Sequence, residues 1–86
     1  MNRFPVEIIS PEKKVFQGEA EFLGLPGKEG ELGITPGHIP FISALKPGKV
    51  KLTQNGQDRF WDISGGMLHI SREKTTVLFR ESSVTP

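Results

Sequence analysis

The side chains able to do chemistry in this chain are few and scattered. His38 and His69 are the only histidines, and there is no cysteine. Neither an HxH nor an HxxxH spacing occurs, so a metal site would need carboxylates gathered from distant segments. His69 stands between Leu68 and Ile70 in a β-prone run, where a half-exposed side chain opposite the core face is the simpler reading. His38 lies in a Gly- and Pro-rich bend and is expected to be a local hydrogen-bonding or contact residue rather than a general base. Glu29 and Glu31 have the spacing of an acid–base pair, yet on a loop beside Gly30 both are expected to be solvated, which suits a surface role. Gly27-Lys28-Glu29-Gly30 has the look of a phosphate loop. The full GxxxxGK[ST] spacing is missing, Glu29 takes the place of the hydroxyl residue, and no helical run follows to aim amides at an anion. Ser10, Ser43, Ser64, Ser71, Ser82 and Ser83 have no neighbouring His and Asp in a nucleophile context. No active site, resident metal or cofactor is expected.

What those residues can do instead depends on the segments that hold them. Residues 29–48 read EGELGITPGHIPFISALKPG, with Gly30, Gly33, Pro36, Gly37, Pro40, Pro47 and Gly48 set around short apolar pieces. Glycine opens backbone angles that other residues avoid, and proline fixes its own while removing a donor. The stretch therefore predicts a stiff, angular path between strands. Its charged or titratable groups are Glu29, Glu31, His38 and Lys46, too few for catalysis and enough for a recognition surface.

The whole chain sets the same bounds. Its 86 residues make one small domain, of a size that buries only roughly 60–65% of its unfolded surface. Ten glycines and seven prolines exceed the usual share of roughly 12% and, without an acidic or Ser-rich block, point to many turns rather than disorder. A formal charge of +1 argues against nucleic acid, which needs a clustered basic face. No apolar run approaches the roughly 18 residues of a membrane-spanning helix, and MNRFPVEIIS lacks a signal-peptide core. A soluble protein that reaches a membrane only through partners is expected.

Hydrophobic alternation supplies the elements. Strands are predicted over residues 6–9, 14–17, 19–25, 49–53, 58–64, 67–71 and 75–81, with Ala20, Phe22 and Leu25 inward and Val50 and Leu52 opposite Lys49 and Lys51. Asn55-Gly56 is a strong hairpin signal, and Gly65-Gly66 is read as a turn. Residues 82–86 carry no pattern. Seven to ten short strands without helical periodicity predict an all-β fold, a single-domain β-sandwich or flattened barrel with an ordered core over about residues 4–81. Ile39, Pro40, Phe41 and Ile42 are consecutive, so one sheet face cannot bury them all. Either Ile39 and Phe41 face the core with Ile42 in a bend, or some of them form an apolar docking patch. Trp61 and Met67 pose the same question, with core the simpler reading for Trp61.

Phe16-x-Gly18, then Pro26-Gly27-x-x-Gly30-Glu31-Leu32-Gly33-Ile34-x-Pro36-Gly37-His38-x-Pro40, then Leu45-Lys46-Pro47-Gly48 and Ile63-Ser64-Gly65-Gly66 together resemble the epsilon subunit of F-type ATP synthases. The likeness runs from about Val6 to Phe79, and its central piece is far more specific than a lone glycine motif. The resemblance implies the family's ten-stranded N-terminal β-sandwich. It implies a non-catalytic rotor subunit at the foot of the central stalk, bound to the gamma subunit and to the membrane c-ring on the cytoplasmic face of the bacterial inner membrane. By position, it implies that Lys28, Glu29 and Glu31 face the c-ring and that Ser10, His38, Ile39, Pro40, Phe41, Ile42 and Ser43 lie towards gamma. Family members usually continue into a C-terminal helical hairpin that can inhibit ATP hydrolysis. Ending at Pro86, the chain is expected to lack the hairpin and that inhibition. The competing expectation, an autonomous peptide- or carbohydrate-binding β-sandwich, would need several exposed aromatics on a concave face. Six Phe and one Trp are too few for that beside a core.

Overall fold

A computed structural model of the chain describes residues 2–37 and 39–81, with Glu81 described by its backbone alone; the expectations for His38 and for residues 82–86 lie outside the described residues. The described residues form eight strands: β1 (Phe4–Ile9), β2 (Lys14–Ala20), β3 (Phe22–Gly27), β4 (Gly30–Ile34), β5 (Phe41–Leu45), β6 (Gly48–Gln54), β7 (Gln57–Ile70) and β8 (Thr75–Glu81). The fold is all-β, with eight strands where the resemblance implied ten. The order β2-β1-β8-β7-β5-β3-β4 runs as one sheet, and β6 bridges β3 and β7. β1 and β8 pair parallel, and the other pairs are antiparallel.

The longest strand turns this sheet into a sandwich. The first half of β7 pairs with β6, from Gln57 to Ile63, and the second with β5, from Gly66 to Ile70. Between them the β7–β8 register shifts at Ile63/Gly65. A bulge of this kind bends a strand and changes which parity of side chain faces inward. Burial changes parity beside it: Ile63 and Gly65 are buried on either side of the shift, then Leu68 and Ile70. Gly65-Gly66 therefore does not turn the chain, as its composition suggested. It lets one strand pass between layers, and two expected strands become one. At the far side β3 meets β5 through Gly27 and Leu45, which closes the sheet on itself.

One core fills the interior, with Val6, Ile8, Leu23, Leu25, Val50, Leu52, Leu68 and Val77 at its centre. Val50 and Leu52 face inward as their alternation predicted. In β3 the parity differs from expectation: Leu23 is buried and Phe22 is not, because the strand starts after Glu21 rather than running on from Glu19. The Phe22 ring lies outside, over Gly24 and Gly33, with the Lys51 ammonium 5.7 Å from its centroid. Asn55 and Gly56 take φ values of 53° and 77° between β6 and β7, the two left-handed residues of a type I′ hairpin. Trp61 packs on the core in a T-shaped contact with Phe16, ring centroids 5.9 Å apart and planes at 64°, and the Arg59 guanidinium covers both rings.

Glu7 points out of β1, and two lysines close over it. Its oxygens lie 2.8 Å from Lys14 Nζ and 2.8 Å from Lys74 Nζ, which ties β1 to β2 and to the turn before β8. The hydrogen bond from Lys14, then that from Lys74, draws the carboxyl pKa from 4.5 down to about 2. A carboxylate with a depressed folded-state pKa stabilises the fold fully above its unfolded value and loses that contribution as pH falls through the folded one. Thermal stability is thus expected to drop between pH 4.5 and about 2. Glu7→Gln should be less stable at neutral pH and show a shallower acid limb in a melting series.

Candidate interaction surface

The hairpin between β3 and β4 is the tip of the angular stretch. Gly27 faces Gly30 across a two-residue turn made of Lys28 and Glu29, with Gly30 at φ 144°. The Lys28 amide donates to Ala44 O at 3.0 Å and the Lys46 amide donates to Pro26 O at 2.8 Å. These two bonds flank the Gly27–Leu45 pair and fasten the tip to the end of β5. The region read as a loop thus contains two strands, and its stiffness comes from pairing as much as from proline. Lys28, Glu29 and Glu31 are exposed, and none takes part in an ion pair among the described residues.

On β5 the two readings of the apolar run separate. Ile39 is 70% exposed and Ile42 63%, so neither packs in the core; Phe41, opposite buried Ile70, is on the core side of the sheet but stays 38% exposed. Ile42 is a strand residue, opposite His69, not a bend. Pro40 is exposed, and Ser43 is half-buried with its hydroxyl donating to Ala44 O at 3.2 Å. Phe41 and Ser43 share a shallow groove of about 190 Å³ with Glu29, Glu31 and Leu32, so the residues implied for the ring and some of those implied for gamma lie side by side.

Ser10 is a different case. It is 3% exposed, its hydroxyl donates to Lys13 O at 3.1 Å, and it accepts from the Lys13 amide at 3.3 Å. Its side chain is spent on the turn after β1, so a neighbour meets this position through the exposed Pro11, Glu12 and Lys13. His69 is exposed between two buried neighbours, as its place in the strand predicted. Among the described residues no three His, Asp or Glu side chains gather as metal ligands. Sequence reasoning passed over Leu78, which is 49% exposed. Its signal lay in the alternation of β8: with Val77 and Phe79 inward, Leu78 must face out.

The described residues thus form a bent, closed eight-stranded sandwich that presents a charged hairpin and an exposed apolar segment. The model of the ATP synthase delta/epsilon chain β-sandwich domain matches residues 3–83, and the chain belongs to this family. Its relatives include the ATP synthase epsilon chains of Herminiimonas arsenicoxydans, 48% identical over 75 residues, and Janthinobacterium sp. (strain Marseille), 45% identical over 75 residues. A third, from Alkalilimnicola ehrlichii, is 42% identical over 79 residues. These alignments take in 85%, 85% and 91% of the chain and 54%, 54% and 56% of the relatives, so the chain spans about half their length. Among solved structures, a chain of the Euglena gracilis mitochondrial ATP synthase superposes with a TM-score of 0.80 at 21% identity, covering 98% of this chain and 53% of that one. A chain of the Tetrahymena thermophila mitochondrial ATP synthase central stalk and c-ring gives 0.77 at 14%, covering 93% and 65%. At those identities the two structures speak for the fold.

Proposed function

We propose that this domain is the rotor-side β-sandwich of an F-type proton-translocating ATP synthase. It binds the gamma subunit and the c-ring and couples proton-driven rotation to ATP synthesis carried out elsewhere in the complex. In this reading it has no active site of its own and sits at the cytoplasmic face of a bacterial inner membrane through its partners. Lys28, Glu29 and Glu31 contact the ring. Ile39, Pro40, Phe41, Ile42 and Ser43, with His38 and the turn begun by Ser10, lie towards gamma. The observation that carries the reading is the pair of hydrogen bonds between the hairpin and β5, Lys28 N to Ala44 O and Lys46 N to Pro26 O, which holds two exposed contact sets on one stiff frame. A part that passes torque must not yield between its two contacts, and backbone pairing resists shear where free loop torsions would not.

Replacing residues 28–31 with a neutral turn and His38 with alanine tests it in the assembled enzyme. Because residues 28–31 are exposed at the hairpin end, the isolated domain should melt within a few degrees of wild type. ATP-driven proton pumping by membranes, or retention of the subunit on them, should fall by about tenfold, the scale of losing interface hot spots. Full pumping with the subunit retained would end the proposal.

A further inference from the structure

Resting on that reading, we infer that Phe22 is a positioning residue for the hairpin that meets the c-ring: its side chain, laid over the Gly24–Gly33 pair, holds β4 in line with β3. Lys28 and Glu29 at the tip are carried by these two strands, and among the described residues β4 has β3 as its sole strand neighbour. The Pro26 carbonyl is turned to the Lys46 amide, away from β4. Alternate residues of a strand turn their backbone groups to the same side, so Gly24 also faces away from β4, towards β6. Gly24 and Gly33 therefore stand opposite each other without hydrogen bonds between them, at a place where side chains normally supply the cohesion. Neither has a side chain to supply it.

The Phe22 ring fills that gap. Neither glycine has a positive φ, so no backbone angle calls for glycine at either place. What calls for it is room: a Cβ at residue 24 would stand 3.2 Å from Phe22 Cε2, and one at residue 33 would stand 3.2 Å from Cε1. An aromatic ring over bare glycines of a sheet restores the side-chain contact they lack. Lys51, opposite Gly24, closes over the ring with its ammonium 5.7 Å from the centroid, so one side chain bridges β3, β4 and β6 on the outer face. Glu31 is the next outward residue along β4 from Gly33, so any slip of β4 displaces a side chain proposed to contact the c-ring. Phe60 stands on the same outer face, 56% exposed, and covers neither glycine.

The test is a double-mutant cycle on the purified chain, read by thermal melting and by amide exchange. Gly33→Ala should lower the melting temperature of the wild-type chain, because its methyl displaces the ring. In the Phe22→Ala chain the same change should raise it by about 2–8 °C, because the methyl then supplies the missing contact. Phe22→Ala should quicken exchange at the Lys28 amide about tenfold beyond any change at Val50 and Leu52, and Phe60→Ala should not. In the assembled enzyme, ATP-driven proton pumping should fall about threefold or more for Phe22→Ala with Lys28, Glu29 and Glu31 intact. Adding Gly33→Ala, or using Phe22→Tyr instead, should restore most of it. Should Phe22→Ala fail to fold, Phe22→Leu carries the same cycle. An equal effect of Gly33→Ala in both backgrounds overturns the positioning role. Full pumping by Phe22→Ala overturns it too and leaves the rotor reading standing. Membranes stripped of the subunit that neither retain the wild-type chain nor need it for pumping overturn the rotor reading itself, whatever the cycle shows.

Discussion

Gly66→Ala should cost the domain roughly 3 kcal/mol, the upper range for forcing extra atoms into a packed site. A Cβ at residue 66 would run into the carbonyl oxygen of Leu78 and stand 2.8 Å from Phe79 Cα, both backbone atoms of the paired strand. Backbone cannot turn aside as a side chain can, so β7 and β8 would have to part where the chain crosses between layers. Against a total stability of about 4–13 kcal/mol for a chain this long, that is a large fraction. Urea denaturation should show a midpoint lowered by about 1–3 M, given slopes of about 1–3 kcal/mol per M for small domains. Gly33→Ala is the control: its nearest neighbour is the Phe22 ring at 3.2 Å, on an outer face where a side chain can shift. It should cost about 1 kcal/mol or less. Equal midpoints for Gly66→Ala and wild type would mean that β7 and β8 do not run in this register.

Gly27→Ala should be nearly as costly, roughly 1–3 kcal/mol, and its effect should be local. The added methyl would stand 2.5 Å from Gly30 O and 2.9 Å from the Leu32 side chain. Relief requires opening the β3–β4 hairpin, which pulls on the bonds from Lys28 to Ala44 and from Lys46 to Pro26. Amide exchange at Lys28 and Lys46 should quicken by about tenfold or more, while the Val50 and Leu52 amides change only with global stability. In the assembled enzyme, coupling should fall although Lys28, Glu29 and Glu31 are all present. Glu31→Gln gives the contrasting pattern, with weaker coupling and unchanged exchange. Fast exchange at both amides with undiminished proton pumping would show that the hairpin need not be stiff for the subunit to work.

Much of this architecture was legible because it is local. The alternation of Val50 and Leu52 with lysines and the Asn55-Gly56 turn act within a few residues, and both appear as read. The apolar run at 39–42 could be recognised as a problem from spacing alone, since consecutive residues cannot share one sheet face. Its resolution was not legible, because exposure of Ile39 and Ile42 depends on which strands lie beside β5. Gly65-Gly66 was misread for a related reason. A glycine pair permits a turn or a bulge equally well, and the choice falls to pairing with β8.

The residue pattern by itself determined the fold class and the Asn55-Gly56 hairpin, since period and turn chemistry are properties of short stretches. Only the tertiary structure decided that β7 serves both layers, that Ser10 is consumed by its own turn, and that Met67 and Leu78 face each other on the exposed side of the sheet. Those facts come from pairing between residues far apart in the chain, where a shift of one position reverses which side chains meet the core and which meet a partner.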